Sequence, residues 1–208
     1  MSTLANLGEL VVAGNESGVV EAVNAMVADK ADPVAIINEG LLSAMNVVGE
    51  KFKNGEMFVP EVLMAARAMN AGMAIVKPLI ADTDLPTLGT IVIGTVKGDL
   101  HDIGKNLVVM MLESAGFKIV DLGVDAKPDD FINAAKENNA DIVAMSAMLT
   151  TTMTVMEEVI NGCKDAGVDA CYLVGGAPLT PVFSEKIGAT YAAEASQAVE
   201  TAKQMVTA

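Results

Sequence analysis

Thr90-Ile91-Val92-Ile93-Gly94-Thr95-Val96, continuing directly into Lys97-Gly98-Asp99-Leu100-His101-Asp102-Ile103-Gly104-Lys105-Asn106, is the stretch on which the fold turns. Its first seven residues are mostly apolar and β-branched, the make-up of a strand buried on both faces. A glycine-containing loop follows, then a helical stretch from about Asp102 to Ala115. The same unit recurs downstream. Lys118 to Leu122 reads as a second strand with a helix after Lys127-Pro128, and Asp141 to Met145 as a third with a helix from Thr151 to Ala166. Ala170 to Val174 is a fourth strand with a short helix after Pro181. Thr190-Tyr191 is a brief fifth strand, and a closing helix starts at Ser196. Alternating strands and helices predict an open parallel sheet covered on both faces. Ligands of such sheets bind beyond the carboxyl ends of the strands, so the loops after strands one, three and four are the places to look.

Upstream of Thr90 the period is helical throughout. Asp32-Pro33 is an N-cap followed by a proline at the first helical position. Val34, Ile37, Leu41, Met45, Val48 and Phe52 then recur at spacings of three and four until Lys53-Asn54-Gly55. Val62, Ala66, Met69, Met73, Val76 and Ile80 repeat the pattern, Val19, Val23, Met26 and Val27 mark a shorter helix, and Leu4 to Val12 can form another. Short connections between amphipathic helices predict a small antiparallel bundle. Ala81 to Leu88, with Asp82, Asp84 and Pro86, reads as a linker. The expected architecture is therefore α/β: a four-helix bundle over residues 1–84, then a parallel-sheet domain over residues 88–208.

Composition narrows the function. Against 13 Lys and Arg stand 27 Asp and Glu, a net charge of −14, which argues against nucleic acid or an anionic membrane as partner. The longest uncharged runs, Ile142 to Met156 and Ala170 to Ser184, are shorter than the ~20 apolar residues of a spanning helix. No basic and apolar leader opens the chain, and the expectation is a cytoplasmic protein. With one His and two Cys, a closed zinc site or a dinuclear centre is hard to assemble, so a bound metal would bring most of its own ligands. Cys163 and Cys171 are read as buried apolar residues, and the 14 Met as filling for helical cores.

Two phosphate-binding motifs fail in the loop after strand one. Gly94, Gly98 and Gly104 do not have the G-x-G-x-x-G spacing, and Gly98 and Gly104 enclose five residues where a P-loop has four. What remains is the sole imidazole, two residues after a carboxylate. Asp99 can fix one ring nitrogen of His101 and so raise the basicity of the other, as around a metal-ligating histidine. Taken alone, the pair reads more readily as a surface histidine with Asp99 or Asp102 as a helix N-cap.

The later loops decide between these. From Gly104 there are 41 residues, 105–145, to Ser146-Ala147-Met148, and 26 more, 149–174, to Gly175-Gly176. The pattern resembles the D-x-H-x-x-G, S-x-L, G-G signature of cobalamin-binding Rossmann-like (flavodoxin-like) domains, with Met148 in place of the family's leucine. Val48-Gly49-Glu50-Lys51-Phe52 and Gly55-Glu56-Met57-Phe58-Val59-Pro60-Glu61-Val62 resemble the helical cap of methyl-carrying corrinoid proteins. These are the small corrinoid subunits of methylamine, methanol, aryl-ether and betaine methyltransferase systems and the corresponding module of methionine synthase. The likeness covers about residues 1–206. Two related classes fit less well: a cobalamin-sensing regulator needs an output domain, and adenosylcobalamin isomerase subunits lack this cap.

The resemblance implies cobalamin or a related corrinoid (methylcobalamin in the methylated form), bound with its benzimidazole tail off cobalt. His101 would be the axial cobalt ligand, with Asp99 and Thr152 as its hydrogen-bonded relay. Gly98, Leu100, Asp102, Ile103 and Gly104 would complete the first binding loop. Ser146, Met148, Leu149 and Thr150 would line the second, Gly175, Gly176 and Ala177 the third, and Tyr191 the last. Phe58, with Met57, Val59 and Val62, would close over the methyl face, and the Ala81 to Leu88 linker would let that cap swing. The implied protein is not catalytic alone. It accepts a methyl group from a substrate held on a specific corrinoid methyltransferase. It yields that group to a second methyltransferase acting on tetrahydrofolate or coenzyme M, and depends on a reductive activase.

Overall fold

Prolines and capping side chains set where the helices begin. The computed structural model describes residues 3–80 and 87–207, in two units, one helical and one built on a sheet that starts after Thr87. The first six residues of the expected linker, 81–86, lie outside the described residues.

In the helical unit, α1 (Leu4–Val12) starts where Thr3 accepts from the Asn6 amide, and α2 (Glu16–Ala28) where Asn15 accepts from Gly18. The Asp32 carboxylate caps α3 (Pro33–Ala35) by accepting from the Val34 amide at 3.0 Å. The helix expected to run unbroken from Pro33 does not stay α-helical. It passes through a π-helical segment, Ile36–Leu42, before continuing as α4 (Ser43–Lys53). A π turn inserts a residue and rotates the face that follows. Ile36, Ile37, Gly40 and Leu41 are buried before it ends, and Ala44, Met45 and Val48 after it. Gly40 lies close against α1: a Cβ there would sit 2.7 Å from the end of the Leu7 side chain, which would have to shift.

The last long helix of this unit, α5 (Val59–Val76), buries Val62, Ala65, Ala66, Ala68, Met69, Gly72 and Val76. Its extension Val59–Leu79, 21 residues at mean hydropathy 1.2, is the one described helix long and apolar enough to cross a bilayer. The same small buried residues let neighbouring helices approach closely: a Cβ on Gly72 would lie 2.9 Å from Val19.

In the second unit five strands form one parallel sheet in the order β2-β1-β3-β4-β5. They are β1 (Thr90–Thr95), β2 (Lys118–Asp121), β3 (Ile142–Ser146), β4 (Cys171–Gly175) and β5 (Thr190–Tyr191). Helices α6 (Ile103–Ser114), α7 (Pro128–Asn138), α8 (Val155–Asp165), α9 (Pro181–Ile187) and α10 (Ala195–Thr207) connect and close it. The order reverses between β1 and β3, the place at whose carboxyl ends open parallel sheets bind their ligands. Register does the rest. Thr95 pairs with Ser146 and Ser146 with Gly175, so three loops far apart in sequence leave the sheet side by side.

Two expectations need correction. The helix expected from Thr151 starts at Val155, because the Thr152 hydroxyl is engaged by the Leu149 carbonyl and by Asp99 within a turn. Cys163 is buried in the core as expected, but Cys171 is exposed. It opens β4 at the amino end of the strand, beyond the cover that buries Tyr172, Leu173 and Val174.

Candidate functional site

The site grows from one carboxylate. Asp99 leaves β1 through a turn in which its amide donates to the Val96 carbonyl, and its side chain is fully buried. An isolated buried carboxylate would be strongly disfavoured. This one is surrounded by donors. Oδ1 accepts from the His101 amide at 3.1 Å and lies 2.6 Å from His101 Nδ1, while Oδ2 accepts from the Met148 amide at 2.7 Å and the Thr152 hydroxyl at 2.8 Å. Burial pushes the Asp99 pKa up. The hydrogen bonds from Met148, His101 and Thr152 outweigh it and hold the carboxyl well below the usual carboxylate range.

An ionised carboxylate can only accept, so the short contact to Nδ1 places the ring proton on Nδ1. In the neutral ring Nε2 of His101 then carries the free lone pair. The His101 side chain is 56% exposed, so that nitrogen can reach a ligand. Asp99 does not cap α6: the first helical hydrogen bond runs from Asn106 to the Asp102 carbonyl, and the Asp102 carboxylate accepts from the Asn106 side chain. The structure thus separates the two readings the sequence left open and brings Asp99, His101 and Thr152 into one linked set.

Exposed apolar side chains neighbour the imidazole in the chain and on the loop that binds Asp99. Ile103 is 86% exposed and Leu100 71%; Met148 and Leu149 also face solvent in part. Burying such area is worth ~25 cal/mol per Å2, so an apolar ligand is favoured here. Gly104, at the start of α6, has open space where a Cβ would be. Gly98 adopts φ 84°, the left-handed region, beside Thr152. A nitrogen donor on an exposed side chain, exposed apolar neighbours and a bare helix start fit a corrinoid.

The remaining loop residues divide. Ser146 is half-buried at the end of β3, and Thr150 and Ala177 are exposed. Gly176 is demanded by the protein itself, since at φ 129° a Cβ would meet the Ala147 carbonyl oxygen at 1.8 Å. Gly175 is much less confined: the Ala192 carbonyl oxygen would lie 3.1 Å from its would-be Cβ and would need to give only slightly. Tyr191 is half-buried on β5 beside Val174. In the helical unit, Phe58 is 67% exposed before α5, and its amide donates to Glu61 at 2.8 Å. Val59 is exposed and Met57 half-buried, but Val62 is fully buried on the core face of α5 and so presents no surface to a ligand.

Sequence reasoning missed several supports. Fully buried Thr95 donates its hydroxyl to the His101 carbonyl at 2.8 Å. Lys105 is buried, its ammonium donating to Asp121 at 2.6 Å and to the Asn106 side chain at 2.8 Å, which ties the start of α6 to the end of β2. Asp125 accepts from the Gly98 amide at 2.7 Å. A lysine directly after the D-x-H-x-x-G motif was the one available hint.

Comparison with known proteins is consistent across sequence and structure. The family described as "B12 binding domain" matches residues 89–203, and a second family of the same description matches residues 3–77. A corrinoid protein of Desulfitobacterium hafniense is 42% identical, the match covering 99% of this chain and 98% of that protein. Dimethylamine corrinoid protein 2 of Methanosarcina acetivorans is 42% identical over 98% of this chain and 95% of its own. Among solved structures, the methanol:cobalamin methyltransferase complex from Methanosarcina barkeri contains a chain 30% identical. It superposes with a TM-score of 0.91 over 98% of this chain and 79% of that one.

Proposed function

The chain belongs to the B12-binding family of corrinoid proteins, and from that premise we propose that it binds a corrinoid and carries a methyl group between two methyltransferases. The observation that carries this reading is the exposed imidazole of His101, fixed at Nδ1 by buried Asp99, with exposed Leu100 and Ile103 beside it in the chain and exposed Met148 on the loop whose amide binds Asp99. His101 is the residue to hold cobalt, and the loops at Ser146 and Gly175-Gly176 are the path for the nucleotide tail. The bound corrinoid supplies the cobalt chemistry; the protein supplies a ligand of set basicity, a site for the ring and a surface for its partners.

The linked set of His101, Asp99 and Thr152 is where a proton would be kept or given up as the demand on the imidazole changes. Exposed Phe58 and Val59 are the apolar residues available to shield the reactive face. The partners by this reading are a substrate-specific corrinoid methyltransferase, a second methyltransferase serving tetrahydrofolate or coenzyme M, and a reductive activase. The methyl donors of the dimethylamine and methanol relatives are the first to try. The test is direct. The protein is loaded with cobalamin, reduced, and mixed with each methylamine or methanol and its methyltransferase while the cobalt(I) absorbance is followed. Loss of that absorbance with one donor is expected; failure of the protein to take up any corrinoid would refute the reading.

A further inference from the structure

The loop that presents His101 is held from outside by a residue with no place in the motif. Asp125 lies in the loop between β2 and α7, in a left-handed backbone conformation (φ 54°). That region is unfavourable for residues other than glycine, though Asp and Asn tolerate it best, and it persists where surrounding structure requires it. Here it is accompanied by two hydrogen bonds to the neighbouring loop. The Asp125 carboxylate accepts from the Gly98 amide at 2.7 Å, and the Asp125 amide donates to the Asp99 carbonyl at 3.0 Å. A short parallel bridge between Val96 and Ala126 continues the pairing of β1 and β2 up to this point, with the Ala126 amide donating to the Thr95 carbonyl at 3.0 Å.

Asp125 therefore grips Gly98 and Asp99, three and two residues before the imidazole, while Thr95 grips the carbonyl of His101 itself. Gly98 itself is left-handed, so its peptide has no helix or sheet partner to fix it. We propose that Asp125 is a positioning residue for the His101 loop: it sets the direction from which Asp99 meets Nδ1, and thereby keeps Nε2 free and aimed outward. This rests on the reading of His101 as the corrinoid ligand, but the geometry it concerns exists without the corrinoid.

Three variants separate the carboxylate from the backbone. Asp125→Gly keeps the left-handed turn and the amide to Asp99 but removes the grip on Gly98. Asp125→Asn keeps an acceptor and tolerates the turn. Asp125→Ala loses both. Because the chain has one histidine, its ring nitrogens give one unambiguous pair of NMR signals. In the protein without cofactor, Asp125→Gly is expected to lower Gly98 amide exchange protection by about tenfold, the worth of one hydrogen bond to a carboxylate. It should also move the His101 signals from the Nδ1–H form toward those of free imidazole. Asp125→Asn should restore both, and Asp125→Ala should resemble or exceed Asp125→Gly.

In cobalamin-loaded protein the fraction with an imidazole lower ligand, read from absorbance, should fall in the same order. Unmoved His101 signals in Asp125→Gly, with Gly98 deprotected, would overturn the proposal. So would a wild-type Gly98 amide that exchanges as fast as an unprotected one, a result that needs no variant to fold. Should wild type take up no corrinoid, the proposed function fails while the cofactor-free measurements still judge Asp125.

Discussion

Gly104 offers the sharpest test, because the protein without ligand does not need it. It occupies the first turn of α6, and a Cβ built there meets no atom within 4 Å. Gly104→Ala should therefore stabilise the cofactor-free protein, since alanine has the better helix propensity and restricts the unfolded chain. The gain is about 0.5–1 kcal/mol, or roughly 1–4 °C in the melting temperature of a domain this size. If the corrinoid lies against this helix start, the same methyl group must intrude on it. Overpacking by one methyl costs about 1–3 kcal/mol, which corresponds to cobalamin binding weakened roughly fivefold to a hundredfold. Gly104→Leu should keep the gain in stability and lose binding altogether. The assay pairs calorimetric melting of the cofactor-free protein with cobalamin titration followed by absorbance. The diagnostic result is opposite signs in one variant. Wild-type affinity in Gly104→Leu would refute the placement of the ring at this turn, and a lower melting temperature in Gly104→Ala would show that the fold itself uses this glycine.

Four further outcomes follow from the same geometry. Gly176→Ala, in contrast, should destabilise the cofactor-free protein by more than ~3 kcal/mol, because its Cβ would lie 1.8 Å from the Ala147 oxygen; a melting temperature equal to wild type would contradict this. Asp99→Asn turns an amide NH2 toward donors and should cost about 1–3 kcal/mol for each donor left unpaired, measured by urea unfolding. Its pH dependence has a defined sign. The folded-state pKa of Asp99 is depressed, so its contribution is fully present above the unfolded value near 4 and is lost only as pH falls through the lower folded value. The wild-type advantage over Asp99→Asn should thus shrink as pH falls below about 4. His101→Ala should still load cobalamin through the tail-binding loops but without an imidazole lower-ligand spectrum; wild type showing benzimidazole as its lower ligand would remove His101 from the role. Tyr172→Phe should leave stability unchanged or raise it by up to ~1 kcal/mol, because the buried hydroxyl has no partner and burial pushes its pKa up to about 12; a clear loss of stability would reveal a bond to that hydroxyl.

What the sequence determined by itself was whatever is written locally or in spacing. The β-branched runs of β1 and β3 and the Asp32-Pro33 start could be read because each depends on residues within a few positions. The three loop motifs could be placed together because a parallel sheet puts every strand's carboxyl end on one edge, so that fixed intervals become one row, Thr95, Ser146 and Gly175. Tertiary structure decided the rest, for identifiable reasons. The Met148 amide that binds Asp99 is a backbone group, which carries no residue identity to be read. Asp125 acts through a backbone conformation and a contact across 27 positions, and Thr95 through a hydroxyl that in sequence is only one more strand residue. Gly175 and Gly176 looked like room for a ligand, yet the carbonyls of Ala192 and Ala147 already press on them, while Gly104 keeps its space open. Periodicity assigned Val62 to a helix face but could not say whether that face was core or lid; its burial on α5 did. Spacing along the chain is one-dimensional, and these distinctions depend on which atoms occupy the third dimension around each residue.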